Sequence, residues 1–190
     1  AASGGAHQGV IAVVSDYKYC TVDDILARAA QRGEDPFIII LDGLEDPHNL
    51  GAIMRTAECA GVHGIVIPKR RSVSVTETVA KTSAGAVEYM LCAKVTNIAN
   101  EIEKLKEKGV WVFGADAGGD TSLYQTNFVG ATAIVIGSEG SGLSRLVREK
   151  CDGIVSIPMK GKVNSLNASA AAAVLLYEAV RQRIGEEQHG

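Results

Sequence analysis

The stretch Phe37-Ile38-Ile39-Ile40-Leu41-Asp42-Gly43, "FIIILDG", holds five consecutive apolar residues and ends on an acid and a glycine. A strand with one wet face alternates apolar and polar residues, because successive side chains point to opposite faces. An unbroken apolar run needs cover on both faces, the condition of a strand inside a parallel sheet. Runs of the same kind recur outward along the chain: "GVIAVV", "GIVIP", "YMLCAKV", "VWVFGAD", "ATAIVIG" and "GIVSIP". Helical patterns separate them, over Thr21 to Arg32, Pro47 to Ala60, Val75 to Ala84, Ile98 to Lys108, Ser144 to Lys150 and Ser165 to Arg183. Strands alternating with helices predict an α/β domain, a mostly parallel sheet with helices on both faces.

The helix boundaries carry the expected chemistry. Thr21 with Asp24 reads as a capping box, Pro47 sits near a first turn, Asn97 precedes the stripe Ile98, Ile102 and Leu105, and Gly61 and Gly109 fall at C-termini. At 190 residues the chain can bury a substantial core without disulfides or metals, and with 5% aromatic residues that core must be aliphatic. A net charge of −3 gives no global basic field, so nucleic-acid binding would need a local patch. Cys20, Cys59, Cys92 and Cys151 form no CxxC pair and are expected to be reduced, buried thiols in a cytoplasmic protein. No run reaches the ~20 apolar residues of a membrane span. His48 and His63 are isolated, so no metal site is expected. Residues 1–7 read as a linker remnant or tag, leaving 8–190 as the domain.

Three polar stretches follow strands, at the edge where open α/β sheets bind ligands: Asp42 to Asn49, "GSEGSG" over 137–142, and "SIPMKGKVNSLNASA" over 156–170. The glycines of "GSEGSG" fall in the wrong order for a dinucleotide fingerprint, and no Walker lysine follows. By spacing alone it is equally a glycine turn, with Glu139 as the feature that favours function. Ser165 and Asn167 are ordinary helix caps, yet three polar residues around Leu166 exceed what one cap needs, and a cap shared with a binding site is expected. In the helix from Pro47, Arg55 points off the stripe Leu50, Ile53, Ala57 and Ala60, as a solvated arginine paired with Glu58 would also do. Asn49 shares a site with Arg55 only if it lies in the turn before that helix. Lys69, Arg70 and Arg71 form the densest basic cluster, either a solvated loop or a set of phosphate contacts. The last helix is apolar nearly all round from Ala168 to Tyr177, which calls for a second subunit on one side, with Leu176 and Val180 as positions where a charge should disrupt the contact.

"DPHNLGAIMRTAECAG", "IVIGSEGSGLS" and "IPMKGKVNSLNASAAAAVLLYEAVRQR" closely resemble, in order and spacing, the three signature motifs of the SpoU (TrmH-like) group of SPOUT RNA methyltransferases. "HQGVIA" further resembles the ribosomal RNA guanosine 2'-O-methyltransferases of the RlmB type, in which it joins a small N-terminal RNA-binding domain to the catalytic domain. The resemblance implies that residues 8–190 are that catalytic domain without the N-terminal one. It also implies a deep C-terminal trefoil knot, bound S-adenosylmethionine, a homodimer, and methyl transfer to a ribose 2'-hydroxyl, with a guanosine of 23S ribosomal RNA as substrate. Transfer RNA as substrate, and a catalytically silent RNA-binding module, are the alternatives. The implied active-site positions are Asn49, Arg55, Glu139, Ser165 and Asn167, and the implied cofactor contacts are Gly114, Gly137, Glu139, Gly140, Ile157, Met159, Ser165 and Leu166. Arg55 is expected to position phosphate and stabilise a developing alkoxide, because a guanidinium is a poor base.

Overall fold

The computed structural model describes residues 17–190. The strand expected over 9–14, the "HQGVIA" stretch and the linker reading of 1–7 lie outside them. Among the described residues, six α-helices and seven strands follow in the order α1 (Val22–Arg32), β1 (Phe37–Asp42), α2 (Pro47–Cys59), β2 (Gly64–Pro68), α3 (Glu77–Thr82), β3 (Cys92–Val95), α4 (Ile98–Glu107), β4 (Trp111–Ala115), β5 (Thr121–Ser122), β6 (Thr132–Gly137), α5 (Arg145–Lys150), β7 (Gly153–Ser156) and α6 (Ala168–Glu187).

The strands form one sheet in the order β3-β2-β1-β6-β4-β7-β5, with every pairing parallel. The run that suggested this is its centre. Phe37, Ile39 and Leu41 enter one apolar layer with Leu50, Ile53 and Met54 of α2 and Leu175 and Leu176 of α6. Ile38 and Ile40 enter the other, with Ile25 of α1, Ile102 and Leu105 of α4 and Val147 of α5. Each residue of β1 from Phe37 to Leu41 is at most 1% exposed, so period-two geometry sends alternate side chains into two separate cores.

Local chemistry sets the element ends. Thr21 and Asp24 form the expected capping box, and Asn97 caps α4 through the Asn100 N–H. Elsewhere the boundaries move. The helix expected from Val75 starts at Glu77, because the Thr76 side chain takes the capping position while Val75 N–H donates to the Tyr19 hydroxyl. The strand expected from Tyr89 starts at Cys92, since Ala86–Glu88 wind into a 3-10 turn that leaves Tyr89 exposed. The final helix starts at Ala168, three residues after Ser165. The cysteines are free, as expected, but of the four only Cys92 is buried: Cys20 and Cys151 are half-buried and Cys59 is exposed on α2, contrary to the buried reading. Burial pushes the Cys92 and Cys151 thiols up to about 12.

His63 is structural. It is 1% exposed, its Nδ1 accepts the Phe37 N–H at 2.9 Å, and its Nε2 lies 2.8 Å from Glu34 Oε2. An Nδ1 that accepts a backbone bond leaves the ring proton on Nε2, where it can be given to Glu34. Burial holds the imidazole below its usual pKa. The unfolded chain therefore binds the proton more readily, and stability should fall as pH drops through the ordinary histidine range near ~6.5 and level off below the depressed folded value. Thermal unfolding followed from neutral to mildly acid pH should show this loss, and His63→Gln should flatten it while lowering stability at neutral pH.

Candidate functional site

A parallel sheet gathers the carboxyl ends of its strands along one edge. The strand order sets β1, β6, β4 and β7 side by side there, so the loops after Asp42, Gly137 and Ser156 become neighbours although they are far apart in sequence. The chain runs outward from β1 to β2 and β3, whereas β6 lies on the opposite side of β1. A reversal of strand order of this kind opens a crevice at the sheet edge.

Each loop is shaped by its own residues. After β6 the segment 138–142 doubles back, with Ser138 and Gly142 exchanging backbone bonds of 3.1 and 2.9 Å. Gly137 makes this possible, because a Cβ there would stand 2.2 Å from the Gly142 carbonyl carbon. The tight turn presents Glu139 outward. After β1, Asp46 caps α2 and accepts the His48 N–H at 2.8 Å, which sets Asn49 in the first helical turn, where it is 4% exposed. Asp42 accepts the Ser144 N–H at 2.7 Å and so fixes the start of α5. After β7 the chain stays irregular until Asn167, whose Oδ1 accepts the Ser169 and Ala170 N–H groups and caps α6.

These three loops meet in one polar contact. Asn49 Nδ2 donates to Glu139 Oε1 at 2.8 Å, and Asn167 Nδ2 donates to Asn49 Oδ1 and to Glu139 Oε1, both at 3.0 Å. Both Asn167 functions are used, the oxygen on its own helix and the nitrogen on the site. The second Glu139 oxygen has no partner among the described residues.

Beside this contact opens a cavity of about 580 Å³. Ile136, Val155, Ile157, Met159 and Leu166 supply apolar wall, and the 137–142 turn and Asp116 supply polar wall. Gly137, Glu139, Gly140, Ile157, Met159, Ser165, Leu166 and Asn167 all lie on it.

Two expected site residues are placed elsewhere. Gly114 is buried behind the wall, and a Cβ there would come within 2.6 Å of Leu143 and 3.1 Å of Cys151. It is glycine because α5 and its leading loop pack closely on β4, and it does not reach the cavity. Arg55 stands on the exposed face of α2, with no hydrogen bond or ion pair to any described residue, Glu58 included. Since Asn49 is itself helical, the six-residue interval turns Arg55 about 120° away from it. Within one chain, then, the arginine is not brought to the Asn49, Glu139 and Asn167 contact. Lys69, Arg70 and Arg71 are exposed directly after β2, on the same sheet edge, and Arg71 adopts a positive φ of 54°.

Sequence reasoning missed Asp116 and its support. Arg148 of α5 lies 3.0 Å from Asp116 Oδ2, the Gly118 N–H donates to Asp116 Oδ1 at 2.8 Å, and Arg148 also donates to the Gly118 carbonyl. The signal was an acid directly after an apolar strand, the same pattern that drew attention to Asp42. On α6, Leu176 is fully buried in its own chain and Val180 packs against that core, so neither reports on a partner. Val174, Tyr177 and Ile184 are the large apolar residues exposed on that helix.

Comparison with known proteins gives one answer throughout. The sequence pattern of the SpoU rRNA Methylase family matches residues 36–177. A Bacillus subtilis relative, YacO, assigned to the TrmH family of tRNA/rRNA methyltransferases, is 54% identical over 184 residues, 96% of this chain and 74% of its own. The SpoU methyltransferase AviRb from Streptomyces viridochromogenes, solved in complex with the cofactor AdoMet, aligns with a TM-score of 0.74 at 32% identity over 79% of this chain. A solved RNA 2'-O ribose methyltransferase aligns with a TM-score of 0.72 at 31% identity over 79% of this chain. The chain spans 58% and 57% of those two solved chains, less than two thirds of each.

Asn167 can be tested for its double attachment. Asn167→Ala removes the cap and both ties and is expected to cost about 1–2 kcal/mol at any pH. Asn167→Asp keeps a capping oxygen but sets a carboxylate against Glu139, so its deficit in urea unfolding should be largest at neutral pH. That deficit should shrink as pH falls through ~4–5, where the raised pKa of a repelled carboxylate lets the folded state take up a proton first.

Proposed function

The chain belongs to the SpoU methylase family, and from that we propose that it is an S-adenosylmethionine-dependent RNA methyltransferase that modifies a ribose 2'-hydroxyl. The observation that carries this reading is the convergence of Asn49, Glu139 and Asn167 at the lip of the 580 Å³ cavity. The cavity suits the cofactor on chemical grounds: it falls in the usual size range for small-molecule sites, its apolar walls can hold an adenine, and the carboxylates Asp116 and Glu139 can face a cationic amino acid. The residues that would hold it are Gly137, Gly140, Ile157, Met159 and Leu166, largely through backbone groups, with Ser165 beside them. When bound, the cofactor supplies a methyl group already activated on a positively charged sulfur.

The protein then has to align a hydroxyl and assist loss of its proton. Glu139 is held through Oε1 by two amides, so its Oε2 is oriented rather than free to wander and can accept a hydrogen bond from the ribose hydroxyl. Asn49 and Asn167 are positioning residues for that carboxylate. Arg55 is assigned to an RNA phosphate and to the negative charge developing on the hydroxyl oxygen. Because its own chain does not bring it to the cavity, the partner subunit's cavity is its place of action in this reading.

That assignment requires a homodimer, and the exposed Val174, Tyr177 and Ile184 of α6 fit one. They recur at intervals of three and seven, along one side of a helix whose other sides are covered. A trefoil knot at the C-terminal end belongs to the same reading. The segment 116–131 runs from β4 out to β5 and back to β6, while β7 lies between β4 and β5, inside that arc. Close contact supports the crossing, since Asp116 N–H donates to the Val155 carbonyl and a Gly119 Cβ would be 2.8 Å from Val155. Lys69, Arg70 and Arg71 would contact the RNA backbone. The substrate favoured is a guanosine of 23S ribosomal RNA, with transfer RNA as the second reading because the B. subtilis relative carries both assignments.

The first test is calorimetric titration with S-adenosylmethionine, followed by methyl transfer to unmodified ribosomal and transfer RNA transcripts and mapping of the modified nucleotide. Binding and transfer are expected; absence of cofactor binding would end the reading. Arg55→Ala should fold and bind cofactor as the wild type does, yet lose transfer by about 10² or more, and Arg55→Lys should recover little because an ammonium cannot make a planar two-pronged contact. Val174→Asp combined with Tyr177→Asp should sediment as a monomer with unchanged helix content, whereas Leu176→Asp should unfold the chain.

A further inference from the structure

A second cavity, of about 390 Å³, lies on the far side of the sheet from the first, between α1, the end of β3 and one face of α4. Among the described residues, Lys69, Lys104 and Lys108 line it against two acids, Asp23 and Glu101, with Lys94 at its rim. Asn97, Glu101, Lys104 and Lys108 succeed one another at helical intervals of four, three and four, so they follow one face of α4. From Asn97 to Lys108 that face is about 16 Å long at 1.5 Å per residue. We propose that this groove is a second phosphate-binding track, which takes the backbone of the RNA strand flanking the nucleotide to be methylated. The proposal rests on the RNA methyltransferase reading and adds to it where the strand runs.

The lysines are arranged for exchange with phosphate rather than for stability. Lys104 stands 3.6 Å from Glu101 and is two-thirds exposed, a pairing that contributes little in water and is readily given up to a phosphate. Lys94 reaches the groove only from the end of β3, for its ammonium is turned to the other face of the sheet, 4.1 Å from the centre of the Tyr19 ring and donating to Ser74 Oγ at 3.0 Å. Lys108 is occupied by Asp23, which closes the inner end of the track. Lys69 joins this groove to the loop that also carries Arg70 and Arg71.

Geometry links the groove to the methylation site. Three strand spacings separate β3 from β6, or about 14 Å at ~4.8 Å each, along the edge where β2 contributes Lys69 to Arg71. A nucleic-acid strand whose ribose sits at Glu139 therefore meets basic residues without leaving that edge. Spaced ammonium groups in a polar groove match the repeating charge of a phosphodiester backbone, whereas an apolar-anchored peptide would need an open aromatic or aliphatic pocket, and the valines of this lining, Val22 and Val95, are buried in the core.

The test uses the full chain and in-vitro transcribed 23S ribosomal RNA and transfer RNA, with affinity measured over a range of salt. Lys104→Glu is expected to weaken RNA binding by about tenfold and lower the slope of log affinity against log salt by about one or more. Asp23→Asn frees Lys108 and is expected to tighten binding, an effect that mere destabilisation would not produce. Arg32→Glu, at the opposite end of α1, changes net charge equally and should alter affinity by no more than about twofold, with cofactor affinity unchanged in all three. Equal losses for Lys104→Glu and Arg32→Glu, or weaker binding by Asp23→Asn, would overturn the groove while leaving the methyltransferase reading intact. Unchanged RNA binding by Lys104→Glu with weakened binding of polyglutamate would mark a site for an acidic protein instead. A wild-type chain that neither binds RNA nor transfers methyl would fail the underlying reading, and the groove with it.

Discussion

The Asn167 side chain is where fold and chemistry are joined. Its oxygen caps the longest of the described helices, and its nitrogen reaches Asn49, in the first turn of α2, and Glu139, in the turn after β6, which stand 118 and 28 residues away in sequence. A helix N-terminus has backbone N–H groups that must be satisfied, and here the same amide that satisfies them orients a carboxylate. Remove the cap and the lip of the cavity loses its reference point. Hold the cap and Glu139 is presented with one oxygen engaged and one available. The neighbouring elements converge on this constraint: Gly137 lets the 138–142 turn fold back, Asp46 places Asn49 in the first turn of α2, and Asp42 fixes α5.

Stability and function are divided between the two directions of the sheet. Perpendicular to it, the alternation of Phe37, Ile39 and Leu41 with Ile38 and Ile40 builds two apolar layers. Along its carboxyl edge the chain leaves regular structure and carries polar residues, since loops can expose backbone groups that strands and helices use up. The amino edge is closed by a different network, in which His63 joins Phe37 to Glu34 and Arg183 lies over the Phe37 ring. Acid is thus expected to loosen the edge opposite the site.

Much of this was legible in the sequence, for physical reasons that differ between elements. Unbroken apolar runs declare a doubly covered strand without reference to neighbours, and caps such as Thr21 and Asn97 act within three residues, so both could be read locally. The strand order could not, because it is set by crossovers tens of residues long. The start of α6 was displaced because Ser165 and Asn167 both suit a cap, and only the tertiary ties to Asn49 and Glu139 select Asn167. Gly114 was expected at the cofactor, and the structure places it behind the cavity wall, where Leu143 and Cys151 pack closely on it. Arg55 could be read as pointing off the core stripe, but a periodicity argument does not say what lies beyond a single chain. Asp116 escaped notice because its role depends on Arg148, which arrives from a different helix.

The account stands on Glu139 as the group that receives the substrate hydroxyl, and a single-turnover measurement of methyl transfer by Glu139→Gln tests it most directly. The variant keeps shape and an oxygen for the two amides but lacks the carboxylate charge. The account predicts a rate of transfer, measured at saturating cofactor, lower by about 10² or more. Transfer at the wild-type rate with cofactor bound would contradict it, and would move the reacting hydroxyl away from the Asn49, Glu139 and Asn167 contact.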